Sequence, residues 1–287
     1  MRPITVVALA FSASLAATNA TFAACEGNPD VLGVARTVEI DTTGGPGFGF
    51  EHFKMYDFLK PHEVVLTFDD GPWPGNTPAV LKALADQCTK ATFFPIGKHA
   101  LWHPEILKQV ARAGHTIGSH TWSHANLGKK KMTVEEAKDE IERGISAVRV
   151  ALGRPEASFF RFPALKHPPE LVKYLGERNI AILSTDIDSF DFKYRKAGKL
   201  TPHVMAKLAK HGKGIVLMHD FQHATAEDLP KLLAALKEKG YKIVHMTSKA
   251  PVTTLASYDA AITKEFAGSV VAKRPMSSVV RTITSNE

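Results

Sequence analysis

The sequence predicts an α/β fold in which a parallel sheet is covered by helices. Three observations carry that expectation. Short apolar runs rich in β-formers alternate with amphipathic stretches of helical period from Val64 to Met246. The runs are apolar throughout rather than alternating, as strands buried on both faces must be. Ionisable residues stand directly after the runs, at the carboxyl ends of strands, where parallel α/β folds build their sites. The pattern alone leaves open whether the sheet is an open doubly wound one or a closed barrel.

The elements follow in order. Val64–Phe68 is a β-forming run, and Thr77–Cys88 reads as a helix with Asn76 or Thr77 as cap and Pro78 in the first turn. Ala91–Ile96 is the next strand, and Pro104–Ala113 the next helix, closed by Gly114. His115–Gly118 is a short strand. Thr133-Val134-Glu135-Glu136 is a capping box that opens a long helix to about Leu152. Strands at Ser158–Phe162, Ile180–Thr185, Gly214–His219 and Tyr241–Met246 alternate with helices at Pro169–Arg178, Pro202–Lys210 and Ala226–Lys239, giving seven strands. No repeat or Pro/Ser-rich linker interrupts residues 61–250, so they are expected to form one domain.

The flanks differ in character. Arg2, the apolar run Val6–Phe11 and the small residues ending in Thr21-Phe22-Ala23 read as a signal peptide over residues 1–23. A lipoprotein reading of Cys25 is weaker, because Phe22 stands where a Leu is wanted. Residues 24–60 are expected to pack on the catalytic domain as an N-terminal segment, and residues 251–287 to form an extension with a polar, poorly ordered tail. No later segment holds enough consecutive apolar residues to cross a bilayer, so no transmembrane segment is expected after cleavage. Two cysteines remain, Cys25 and Cys88, and in a periplasmic or secreted protein they are expected to form a disulfide. Net charge is +7, or +6 once residues 1–23 with their one Arg and no acid are removed, which suits an anionic envelope or a mildly acidic polymer. The basic run Lys129-Lys130-Lys131 lacks interleaved aromatics and reads as a solvated loop, which argues against nucleic acid.

The chemistry lies in residues that five separate strands deliver to one face. They are Asp69 and Asp70, His120 and His124, Arg161, the acids Asp186, Asp188 and Asp191, and His219-Asp220. Any one of these is ordinarily a cap or a surface charge; their convergence is not ordinary. On one helical turn, HxxxH puts two imidazoles on the same side. One added carboxylate gives the two-His, one-carboxylate set that leaves a coordination position for water. Thr121 follows His120 where a metalloprotease HExxH has Glu, so a base must come from elsewhere, and the Asp69-Asp70 pair at the Gly71-Pro72 turn supplies one.

In this order the motifs resemble the polysaccharide deacetylase family, which holds the chitooligosaccharide, chitin and peptidoglycan deacetylases. The likeness covers residues 60–250. It rests on Thr67-Phe68-Asp69-Asp70-Gly71 and Ser119-His120-Thr121-Trp122-Ser123-His124, and then on Arg161-Phe162-Pro163, Asp186–Phe192 and Leu217-Met218-His219. The first two are specific as a pair; the last three are weak alone. The resemblance implies a distorted barrel of seven or eight βα units, here a (β/α)7-type barrel. It implies that Asp70, His120 and His124 bind a divalent metal, usually zinc with cobalt and nickel as alternatives, which activates water and polarises the acetyl carbonyl. Asp69 would be the general base, oriented by Arg161. His219 would protonate the leaving amine, with Asp191 favouring its charged form. Leu217 would line the pocket for the acetyl methyl, and the Ala164 N–H would help hold the oxyanion. The sequence departs from the family at Ala164-Leu165, where an aromatic and Gly are usual, and at Phe192, where Trp is usual. Both positions line the sugar groove.

The function implied is removal of N-acetyl groups from a polymer containing N-acetylglucosamine, chitin-like or peptidoglycan. The alternatives are an O-acetyl esterase, since the same chemistry attacks esters, and a catalytically silent carbohydrate-binding protein. The latter would lack a ligand, base or acid, and none is missing.

Overall fold

The structure, a computed structural model, describes residue 25 and residues 28–272. The expected signal peptide and Lys273-Arg274-Pro275 lie outside the described residues. In chain order the strands are β1 (Arg36–Ile40), β2 (Gly47–Phe48), β3 (Glu63–Asp69), β4 (Thr92–Phe94), β5 (Thr116–Ile117), β6 (Phe159–Phe160), β7 (Ala181–Leu183), β8 (Ile187–Asp188), β9 (Gly214–His219) and β10 (Lys242–Ser248). The helices are α1 (Asn76–Asp86), α2 (Gly97–Trp102), α3 (Pro104–Arg112), α4 (Val134–Leu152), α5 (Pro169–Glu177), α6 (Leu200–His211), α7 (His223–Glu238) and α8 (Ala256–Ala272).

Every strand pairing is parallel. Starting from β3, the ladder runs through β4 to β5, passes by a single bridge between Ser119 and Phe160 to β6, and continues to β7. The chain itself then leads from β7 into β8, which pairs β9, and β9 returns to β3. The ladder is therefore interrupted rather than continuous, with a seven-stranded sheet and a three-stranded one. Period-2 alternation along β3 sorts its side chains. Val64, Leu66 and Phe68 pack outward under α1, α3, α6 and α7, while Val65 joins Phe94, Phe159, Leu183, Ile215 and Met246 inside. Thr67 and Asp69 follow Val65 on the inner face, and this aims Asp69 into the site.

Three expectations are corrected here. Ten strands are described rather than seven, because the N-terminal segment contributes β1 and β2, paired with β10 and β7, and because the fifth expected strand continues as β8. The expected side-chain cap of α1 is absent: Thr77 lies inside the helix and its hydroxyl accepts the Trp73 N–H at 2.7 Å. Helix α2 stands between the second expected strand and the helix from Pro104, where none was expected; in the C-terminal extension helix α8 packs on α4 through buried Ile262 and the Arg149–Asp259 pair, and residues 273–287 lie outside the described residues. The capping box of α4 is present as expected, and Gly153 closes that helix at φ 72°. A disulfide joins Cys25 to Cys88 across 63 residues, tying the N-terminal segment to the end of α1.

Candidate metal and catalytic centre

Arg161 follows β6 and is entirely buried beside the carboxyl ends of the strands. Its Nη1 donates to Asp69 Oδ1 and Thr67 Oγ1, each at 2.7 Å. Its Nε and Nη2 donate to the carbonyls of Leu183 and Ser184, each at 2.9 Å, and the guanidinium lies 4.5 Å from the centre of the Phe94 ring. A buried ion pair is tolerated when its remaining donors are satisfied, and here four of the five guanidinium N–H groups have acceptors. The result is a carboxylate fixed by one oxygen with the other, Asp69 Oδ2, free to face the site.

Asp70, at φ 74°, turns the opposite way from Asp69. Its Oδ1 lies 3.5 Å from His120 Nε2 and 3.4 Å from His124 Nε2, and the three ligand atoms fall within 4.8 Å of one another. His120 Nδ1 is 2.7 Å from the Arg161 carbonyl. A carbonyl only accepts, so Nδ1 carries the proton and Nε2 presents its lone pair to Asp70. Burial pushes the His120 imidazole below its ordinary value against the pull of Asp69 and Asp70, which keeps it neutral and able to ligate. Asp70 Oδ1 is buried without a hydrogen-bond partner. An orphaned carboxylate oxygen facing two imidazole nitrogens fits a divalent metal, and this group can hold one.

The spacing of His120 and His124 works differently from the helical turn expected. The segment is irregular, with Thr121 at φ 66° and His124 at φ 59°, and it is α4 that holds it in place. Glu140 receives the Ser123 N–H and hydroxyl at 2.9 and 2.8 Å, and its carbonyl receives the Trp122 N–H at 2.8 Å. Gly144 allows the contact: a Cβ there would stand 2.4 Å from the Thr121 carbonyl carbon.

His219 ends β9, and its Nε2 lies 3.9 Å from Asp70 Oδ2. Its Nδ1 donates to Asp191 Oδ1 at 2.6 Å, and Asp191 Oδ2 takes the His219 backbone N–H and the Thr225 hydroxyl. Burial opposes charge on the imidazole, but the hydrogen bond and charge of Asp191, together with Asp70 and Asp69, push it up to about 9. Leu217 lies two residues earlier on the same inward face and is buried. Phe192 is 50% exposed with its ring 5.7 Å from that of His219. Ala164 is exposed at the turn after Arg161, at φ 53°.

Other expected residues are used structurally. Asp186 accepts the N–H groups of Phe50 and Ile215, and Asp188 that of Phe190. Asp220 is buried against Gly71 N–H and the Thr77 hydroxyl, and a Cβ on Gly71 would stand 2.1 Å from its carboxylate. Sequence reasoning passed over His99, whose Nδ1 donates to the Asp70 carbonyl at 2.6 Å, and Trp73 and Trp102, which contact it and are exposed. Exposed tryptophans beside a polar centre were the available signal. Left-handed non-glycine residues gather at this face, at Asp70, Thr121, His124, Ala164, Leu165 and Phe190, as strained backbone does at functional sites.

The polysaccharide deacetylase family model matches residues 59–182. The peptidoglycan-N-acetylglucosamine deacetylase of Bacillus cereus is 33% identical over 201 residues, covering 67% of this chain and 71% of that protein. The chain belongs to the polysaccharide deacetylase family. Another family member, the peptidoglycan-N-acetylglucosamine deacetylase of Listeria monocytogenes, is 37% identical over 184 residues, 63% of this chain, but the match spans only 37% of that longer protein. Among solved structures, a peptidoglycan deacetylase of Bdellovibrio bacteriovorus superposes with a TM-score of 0.68 at 33% identity, over 78% of this chain and 62% of its own. The family resemblance read from the motifs is thus shown, and the parallel α/β architecture with it.

Proposed function

We propose that the chain is an exported hydrolase that removes N-acetyl groups from a glycan containing N-acetylglucosamine. The observation that carries this reading is the meeting of a free carboxylate oxygen, a metal-capable group and a protonated imidazole at one point. Asp69 Oδ2 lies 3.8 Å from His120 Nε2, and His219 Nε2 faces Asp70 from the other side. Asp70, His120 and His124 would hold the metal, zinc by the nature of the donor set. When bound, a divalent ion there supplies Lewis-acid polarisation of the acetyl carbonyl and lowers the pKa of water.

The chain's own residues do the rest. Asp69, held by Arg161, takes the proton of the attacking water. The Ala164 N–H donates to the carbonyl oxygen as charge develops there, and Leu217 bounds the space for the methyl group. His219, kept protonated by Asp191, delivers its Nε2 proton to the nitrogen, which departs as an amine. Phe192, Trp73 and Trp102 offer exposed aromatic faces to neighbouring sugar rings. Export is supported by the disulfide, which persists in oxidising compartments. The test is acetate release from acetylated chitooligosaccharides, peptidoglycan and acetylated xylan. Release from the first or second, abolished by a chelator and restored by zinc, is expected. Release from xylan alone would replace the amide reading with an ester one.

A further inference from the structure

The loop after His124 and the turn after Ala164 line an open cavity of about 450 Å³. Leu127 is three residues beyond His124 and Lys166 two beyond Ala164, so the backbone of these two lining residues lies within about 10 Å of the backbone of His124 and Ala164. The two loops touch, since a Cβ on Gly128 would lie 3.2 Å from that of Lys166. Three lysines, Lys129, Lys130 and Lys166, are among the residues that line it. None has a carboxylate partner among the described residues, and the one acid on the wall, Glu170, pairs with none of them. The floor is apolar, formed by Leu127, Met132 and Leu171 among others. The basic run that reads in sequence as a solvated loop therefore rims a pocket.

We propose that this cavity is an anion subsite taking a carboxylate on a short alkyl stem, carried by the sugar next to the one deacetylated. Unpaired cations call for the charge, and the apolar floor suits the stem. The lactyl ether of a muramic acid residue has that chemistry; chitin has none. The inference rests on the glycan deacetylase reading of the adjacent centre and narrows its substrate to an acidic glycan.

The test is calorimetric titration of the mature protein with three saccharides. They are an oligosaccharide alternating N-acetylglucosamine and N-acetylmuramic acid, the same compound with its carboxylates converted to methyl amides, and a chitooligosaccharide of equal length. The acid form should bind about tenfold more tightly than the amide, as expected when partly exposed ion pairs add together. That preference should shrink at about 0.5 M salt. It should vanish in the triple variant Lys129→Gln, Lys130→Gln, Lys166→Gln and weaken in Lys166→Gln alone, with chitooligosaccharide binding unchanged. Equal affinity for acid and amide in the wild type, or a preference that survives the triple substitution, would overturn the subsite. Failure to release acetate from any glycan would overturn the deacetylase reading instead, and the titration would still decide the subsite.

Discussion

His219 at the carboxyl ends of the strands and the pair His115 and His245 near the amino end of β5 are pushed in opposite directions. At the carboxyl ends His219 is pushed up to about 9, because Asp191 accepts from its Nδ1 and two further carboxylates face it. At the amino end of β5, His115 is pushed down to about 3 and His245 to about 4, by burial and the nearby Lys90. All are largely withdrawn from water, so burial does not separate them. The difference is the sign of the neighbouring charge. His219 is held protonated, whereas His115 and His245, like His120 of the metal group, are kept neutral.

The comparison breaks most sharply at the metal group. Asp70→Ala, His120→Ala or His124→Ala should abolish activity with loss of metal. Elemental analysis beside turnover checks this, and full occupancy in all three would remove the ligand assignment. A smaller loss is expected from Asp69→Asn, about a hundredfold in turnover with metal retained, the usual contribution of a general base. Near-normal turnover there would take Asp69 out of the proposed mechanism.

Asp191→Asn sharpens the comparison through pH. In the proposed mechanism His219 acts protonated, so the alkaline limb of kcat/KM should follow its loss of the proton, with about 9 as the value without metal. A divalent ion on Asp70 offsets part of the negative charge and draws that limb lower. Removing the Asp191 charge should move it down by at least about one pH unit, leaving the acidic limb in place. An unmoved alkaline limb would mean that Asp191 does not tune His219.

The smallest effect belongs to the other end. His115 is neutral when folded down to about pH 3, whereas an ordinary imidazole takes its proton near 6.5. Between those values the unfolded chain binds more protons, so folding stability falls as pH drops below about 6.5. His115→Asn keeps an acceptor for the Ala91 N–H but cannot titrate. Between pH 7 and pH 5.5 it should lose about 1 kcal/mol less stability than wild type, read from urea unfolding midpoints. Equal losses would mean that His115 does not contribute to acid sensitivity.

Most of the residues proposed for metal binding and catalysis were legible because their types are chemically demanding. Two adjacent acids before Gly71-Pro72, two histidines four apart and an Arg at a strand end have few common uses together. What supports them was not legible. Glu140 and Gly144 sit in the middle of a long helix, where they read as a surface acid and a small residue. Only the close approach of the Thr121 backbone gives them a task. Strand β1, Arg-Thr-Val-Glu-Ile, alternates in burial, unlike the apolar runs, and β2 is two residues long, so neither carried the expected pattern. Lys129 and Lys130 were placed correctly as a loop, yet what they surround depends on Lys166, distant in sequence.

By itself the sequence determined the parallel α/β class, the order of elements from Val64 to Met246 apart from α2 and β8, and the residues that gather at the carboxyl ends. These are set by local periodicity and by side-chain chemistry, both of which are written within a few residues. The tertiary structure decided the rest. It chose the interrupted ladder over an open sheet, put His120 and His124 on an irregular loop rather than a helical turn, and gave Asp69 and Asp70 opposite directions. It also surrounded His219 with carboxylates and kept them from His115. Those outcomes depend on long-range pairings such as β3 with β9 and Arg161 with Asp69, and on close backbone contacts at Gly71 and Gly144. Such contacts join positions tens to about 150 residues apart, where no local pattern reaches.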